Sequence, residues 1–209
     1  AKSAGILDKE PVMCGAFSFH AREEALRKLY PWLEIDERLP ESYNIRPKQP
    51  APVVPNQPIE DPIEVPNWPT KKPARIMQFG FEAPWNEKLL LINTRDDKLL
   101  SGKGFWKSFM NNRCIVLANG FYEWKGEKGA KQPYYITVNG GEPFAMAGLF
   151  KSNDEKGYFS IITTNPNVVV GELHDRMPVI LPDETIEQWL SPDTMELEEI
   201  GEFLKPFKD

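Results

Sequence analysis

"RCIVLANGFYEW", residues 113–124, runs through a stretch of β-branched and apolar residues and ends in aromatics around one carboxylate, a pattern of strand rather than helix. Five further runs after Pro73 share it: "ARIMQFGF" (74–81), "KLLLINT" (88–94), "PYYITVN" (133–139), "PFAMAGLF" (143–150) and "YFSIITT" (158–164). Gly, Asn, Asp and Lys-rich turns separate them, so the strands pair as a mainly antiparallel sheet. Helices are expected at the periphery. The first covers about His20 to Tyr30, with Ala25, Leu26, Leu29 and Tyr30 on one face and Pro31 ending it. Others are expected at Pro166–Leu173, at Asp183–Leu190 and in the acidic segment Thr194–Leu204. Between Pro47 and Pro73 nine prolines fall in 27 residues, which predicts an extended surface loop rather than a central strand.

The chain of 209 residues, 41% apolar and 11% aromatic, is sized for one core and one domain. No run nears the roughly eighteen apolar residues of a membrane span, and the first residues of the sequence lack an apolar stretch resembling a secretion signal. A cytoplasmic protein with no membrane partner is expected. Two cysteines in such a chain make no disulfide framework, and Cys114, inside the apolar run, reads as a buried small hydrophobe. Two cysteines and two histidines stand far apart, so neither metal nor other cofactor is expected. The net charge of −6 argues against a generally basic nucleic-acid binder but leaves room for a local basic face.

Four stretches carry polar residues that a sheet does not need. They are "MCG" at 13–15, "LINTR" with Asn93 and Arg95, "GFYEW" with Glu123, and "LHDRMPV" with His174 and Arg176. A carboxylate between Tyr122 and Trp124 suits general acid and base work if it faces inward, and is an ordinary exposed strand position if it faces out. His174 fits a catalytic imidazole or a loop hydrogen bonder. His20 reads as a surface residue.

Taken in order, "MCG", Tyr43-Asn44 with Pro47, "INTR", "FYEWK" and "HDRMPV" resemble the SRAP domain family, first described as SOS-response-associated peptidases and regarded as sensors of abasic sites in single-stranded DNA. The resemblance runs from Cys14 to about Pro192. It implies an α+β fold, a mainly antiparallel, barrel-like sheet with a few peripheral helices, whose cationic cleft lies at the mature N-terminus. It also implies that Cys14 becomes the first residue and captures the abasic aldehyde through its amine and thiol. Residues 1–13 are then an upstream extension or a cleaved leader, and 14–209 a single SRAP-like domain. The expected partner is single-stranded DNA with an abasic site, bound by a monomer that joins the nucleoid when it acts.

The residue types suit that chemistry. An α-amine with a pKa near 8 attacks an aldehyde at neutral pH, and an adjacent thiol closes a thiazolidine that only an N-terminal cysteine can form. Glu123 would shuttle protons and His174 would act as the second acid–base group. Asn93 would position the sugar, Arg95 and Arg176 would hold flanking phosphates, and Trp85 would stack on a base or fill a core. Asn44 and Arg46 complete the expected DNA contacts. Two positions depart from the family's pattern: Ala16 stands where it carries Arg, and Arg46 where it carries Ala. Rival readings are an amidotransferase with an N-terminal cysteine, a thiol peptidase that uses the same residues, and a DNA-binding module without chemistry.

Overall fold

The computed structural model describes residues 15–58, 70–127, 129–153 and 156–208, so Cys14 and the extension 1–13 lie outside the described residues. Arg113–Ala118 is buried along its whole length. It does not alternate because both faces are covered, one by the inside of a barrel and the other by the helix Asp183–Trp189. Pro50–Pro55 and Phe144–Asn153 pair antiparallel on its two edges. Arg75–Phe79 lies beyond the first and Lys156–Thr164 beyond the second, again antiparallel. These outer two meet in the parallel pairs Tyr158↔Gln78 and Phe159↔Phe79, closing a barrel of five strands. Phe79 and Phe159 stack with centroids 5.2 Å apart, and Phe17 meets Phe79 edge-on at 5.4 Å. Five α-helices surround the sheets among the described residues: Glu23–Leu29, Asp96–Leu100, Val168–Gly171, Asp183–Trp189 and Leu197–Phe203. None is long and apolar enough to cross a membrane. The α+β, mainly antiparallel, barrel-like fold expected from the sequence is the fold observed.

The proline-rich segment departs from expectation. Pro50–Pro55 is an internal, mostly buried barrel strand, not a surface loop. It pairs with Arg75–Phe79 from Pro50 to Val53 and with Arg113–Ala118 from Val53 to Pro55, so its two partners overlap only at Val53. Phe79 N donates to Gln49 O at 2.9 Å and Asn56 N to Arg113 O at 2.8 Å, which sets the phase of both ladders. Pro50 and Pro52 therefore turn their nitrogens toward the edge where pairing has not begun, and Pro55 toward the edge where it has ended. No ladder bond is lost to a missing N–H.

At Asn119 the chain leaves the barrel and enters a second sheet. Asn119 Oδ1 accepts from His20 N at 2.8 Å, its Nδ2 donates to Gly141 O at 3.1 Å, and its backbone N–H donates to Ser18 O at 2.8 Å. Gly120–Lys125 then runs in an antiparallel sheet of four strands, ordered Gln132–Ile136, Gly120–Lys125, Phe17–Phe19, Ser42–Ile45. Gly120 is required there, since a Cβ would lie 2.4 Å from the Tyr135 ring.

The start of the same strand is pinned by Arg113, which is fully buried. Its Nε donates to Trp189 O at 3.0 Å, Nη1 to Met110 O at 3.1 Å, and Nη2 to Ser191 O at 2.6 Å and Asp193 O at 2.9 Å. Burial pulls its pKa down to about 10, which leaves it charged at neutral pH. Arg113→Met removes four hydrogen bonds at once, the one to the buried Trp189 carbonyl among them, and is expected to cost about 3 kcal/mol or more in urea unfolding. Arg113→Lys should recover little, because one ammonium cannot span the fork. Cys114 is buried too, and burial pushes its thiol well above its ordinary value. Iodoacetamide should therefore leave Cys114 unmodified in the native protein and label it in denaturant, as mass spectrometry of the tryptic peptides would show.

Candidate active site

Alternation along Gly120–Lys125 sends Phe121 and Glu123 to the buried side and leaves Tyr122 and Trp124 half-buried. Glu123 is only 1% exposed, so of its two sequence readings the strand adopts the inward one. It opens onto a cleft of about 440 Å³ lined by Gly15, Arg46, Pro47, Glu123, Trp124, Lys131 and His174. Five separate stretches of the chain thus contribute one surface. The Arg46 guanidinium carbon sits 5.7 Å from the centre of the Trp124 ring, a cation–π contact that turns the charge along the cleft wall. A larger groove of about 590 Å³ lies between the helices Asp183–Trp189 and Leu197–Phe203, but neither cysteine nor histidine lines it. Of the two, the smaller cleft is the one that an imidazole lines.

His174 follows the helix Val168–Gly171, whose Asn167 cap accepts from Val170 N at 3.0 Å, and its own backbone N–H donates to Val170 O at 2.9 Å. The side chain is 12% exposed. Its Nδ1 lies 2.8 Å from Asp175 Oδ1 and 3.2 Å from Arg176 N. The two neighbours make opposite demands, for a proton and for a lone pair. Arg176 N–H donates to Nδ1, so in the neutral ring the proton sits on Nε2, the nitrogen left to exchange it.

Arg176 is turned inward rather than toward a phosphate. Only 8% exposed, it donates through Nη2 to Asp96 Oδ1 and to Thr163 O, both at 2.5 Å, and through Nη1 to Asn165 Oδ1 at 3.3 Å. Asp96 also accepts from Thr164 Oγ1 at 2.7 Å. This network ties the segment after His174 to the start of the helix Asp96–Leu100, so Arg176 fixes the backbone that carries the imidazole. The short strand Asn93–Arg95 pairs parallel with Ile161–Thr163, while Met177–Pro178 pairs antiparallel with Thr163–Thr164. "INTR" and "HDRMP" therefore meet on one strand end, far apart as they are in sequence.

The remaining expected residues are more scattered. Arg95 is exposed and holds Asp97 in a two-pronged pair, both contacts at 3.0 Å, and this guanidinium keeps the Asp97 carboxyl below its usual range. Trp85 is 60% exposed at the tip of the hairpin Phe81–Ala83/Asn86–Leu91, edge-on to Phe105 at 5.1 Å; it is not a core tryptophan. Asn44 is exposed on Ser42–Ile45. Asn93, Arg95, Trp85 and Asn44 do not line the cleft itself, whereas Glu123, His174 and Arg46 do. Sequence reasoning passed over Lys131 and Trp124. The lysine stands in a turn rich in lysines, where nothing distinguishes the one that faces the cleft. Trp124 had a signal in its alternation with Glu123. Cys14 lies outside the described residues, but it is bonded to Gly15, which lines the cleft.

Against known proteins, the SOS response associated peptidase (SRAP) family matches residues 13–209. A Bacillus subtilis (strain 168) protein named abasic site processing protein YoqW is 32% identical over 210 residues, 93% of this chain and 88% of its own. The Gallus gallus protein named abasic site processing protein HMCES is 30% identical over 167 residues, 68% of this chain and 47% of its own. A crystal structure of a Bacteroides thetaiotaomicron protein has the same fold, with a TM-score of 0.70 at 26% identity over 93% of this chain and 88% of that one. A match over residues 13–209, which takes in the whole barrel and the described lining of the cleft, makes this chain a member of the SRAP family.

Proposed function

We propose that this protein processes abasic sites in single-stranded DNA and captures the opened sugar covalently through Cys14. The observation that carries this reading is the cleft, where Gly15, the residue next to Cys14, meets a buried carboxylate, an imidazole and the cations Arg46 and Lys131. The family's relatives named for abasic-site processing support the substrate. The ring-opened deoxyribose presents an aldehyde. The α-amine of Cys14 adds to it, the carbinolamine loses water to give an imine, and the thiol adds across the C=N bond. One C–S bond forms, the thiol proton ends on nitrogen, and a five-membered thiazolidine results with one water released.

Each side chain has a task in that sequence. Glu123, enclosed on the buried face of its strand, delivers the proton to the departing hydroxyl. His174, with Nδ1 accepting from Arg176 N, acts through Nε2 on the sugar oxygen during ring opening and in reversal. Arg176 acts through His174 by holding its backbone, and Asn93 and Arg95 orient the strand at the neighbouring strand end. Arg46, Lys131 and Trp124 supply charge and a stacking face for a strand that has lost one base. A thiol peptidase would draw on the same cysteine and histidine, and the family's description keeps that reading in play.

An oligonucleotide with one abasic site separates the two. Protein whose chain begins at Cys14 should give a band that survives SDS, and protein that retains residues 1–13 should not, because the Cys14 nitrogen is then an amide with no basic lone pair. Efficient thiazolidine formation by a chain shown by mass spectrometry to keep those residues would refute the mechanism. Cys14→Ala should abolish the band.

Glu123→Gln should slow crosslinking roughly a hundredfold, the scale of a positioned proton donor. His174→Ala should slow both crosslinking and its reversal, with circular dichroism unchanged. Wild-type rates in both variants would remove the acid–base assignments.

A further inference from the structure

The turn that brings Arg46 and Pro47 to the cleft also carries Lys48, and Lys48 is in an unusual conformation. Gln49 N donates to Arg46 O at 3.0 Å, Pro47 occupies the second position, and Lys48 follows at φ 71°, the geometry of a type II turn. That third position favours glycine or asparagine; lysine is strained there. The conformation is held from both sides. Lys48 N donates to Phe79 O at 2.8 Å, Phe79 N to Gln49 O at 2.9 Å, and Arg46 N to Gln49 Oε1 at 2.7 Å. Strain that the surroundings impose on a long, exposed cation is a pointer to use rather than to packing.

Because of this turn, Arg46 and Lys48 face different hollows. Arg46 lines the cleft described above, and Lys48 lines a second one of about 310 Å³ with Lys151, Gln78 and Tyr158. Glu82 also borders it, so the hollow is polar, with two cations to one carboxylate. Among the described residues neither Lys48 nor Lys151 takes part in a salt bridge. Lys151 comes from Phe144–Asn153 and Tyr158 from Lys156–Thr164, facing each other across a barrel pair.

We propose that this second hollow binds the phosphodiester backbone of the DNA strand that leads away from the lesion, with Lys48 and Lys151 as the phosphate contacts. The inference rests on the abasic-site reading above and extends its footprint beyond the cleft. The strand crosses the turn at Pro47, with Arg46 and Lys131 on the lesion side and Lys48 and Lys151 on the far side. Ala16, fully buried, offers no cation to the lesion, and the turn supplies charge on both of its sides instead.

Lys48→Gly tests this directly, because it removes the charge while placing the residue that the turn prefers. Binding of a labelled oligothymidylate of about 15 nucleotides would be followed by fluorescence anisotropy over a salt series, for the wild type, Lys48→Gly and Lys151→Gln. Four contacts give the wild type a log–log salt slope of roughly −3, and each variant should make it shallower by about 0.7. The thermal midpoint of Lys48→Gly should be unchanged or up by about 2 °C. A merely structural Lys48 would shift the midpoint and leave the slope alone. Wild-type slopes in both variants, with the wild type itself steep, would overturn this proposal and leave the cleft reading standing. A wild-type slope near zero would overturn both. Should Lys48→Gly unfold, the strain assignment fails and Lys151→Gln alone decides the phosphate contact.

Discussion

One strand has to serve two sheets, and the bend at Asn119 is what allows it. Residues 113–118 are barrel wall, and residues 120–125 are the second strand of a separate sheet. The direction of the second half depends on the side chain of Asn119 bridging His20 and Gly141, and the position of the first half depends on Arg113. Without that bend the carboxylate of Glu123 would continue along the barrel and not face the segment that holds His174. The constraint is local and polar, which is why it holds a defined angle where apolar packing alone would tolerate several.

The cleft is assembled from loops and strand ends that the barrel keeps in place. The sheet gives Glu123, a turn clamped on Phe79 gives Arg46, and the network of Arg176, Asp96 and Thr163 keeps the His174 segment on the end of Lys156–Thr164. Reactive groups on loops gain precision when the backbone behind them is over-determined, and here the buried arginines provide that twice. Each spends its charge on the fold, Arg113 on carbonyls and Arg176 on a carboxylate and carbonyl, so neither cation is available to solvent.

How much of this the sequence discloses depends on the range of the interaction concerned. Strand identity is legible because "RCIVLANGFYEW" and its neighbours carry apolar and β-branched runs, and burial on both faces explains why Cys114 to Ala118 do not alternate. The inward side of Glu123 is not legible, since alternation alone gives two faces and only the partner sheet chooses between them. Pro50–Pro55 misleads because proline is judged as if every strand residue needed partners on both edges, whereas here each proline faces an edge without one. Arg176 looks like a phosphate ligand in "HDRMPV"; its inward turn needs Asp96, eighty residues away, to be seen. The short helix Asp96–Leu100 was hidden for the same reason, its start being held through Asp96 by Arg176 and Thr164.

The barrel closes through a single short parallel contact between Gln78-Phe79 and Tyr158-Phe159. A ribosome releases the chain from its N-terminus, so four of the five staves are available before the last one emerges, and His174 comes later still. The ring is therefore a late event in biogenesis, and such long-range parallel pairing is slow. Gly15, on the cleft wall, is therefore made well before the imidazole that lines the same cleft. Order of emergence thus acts as a timer: the cleft is completed only once the chain has been made through His174.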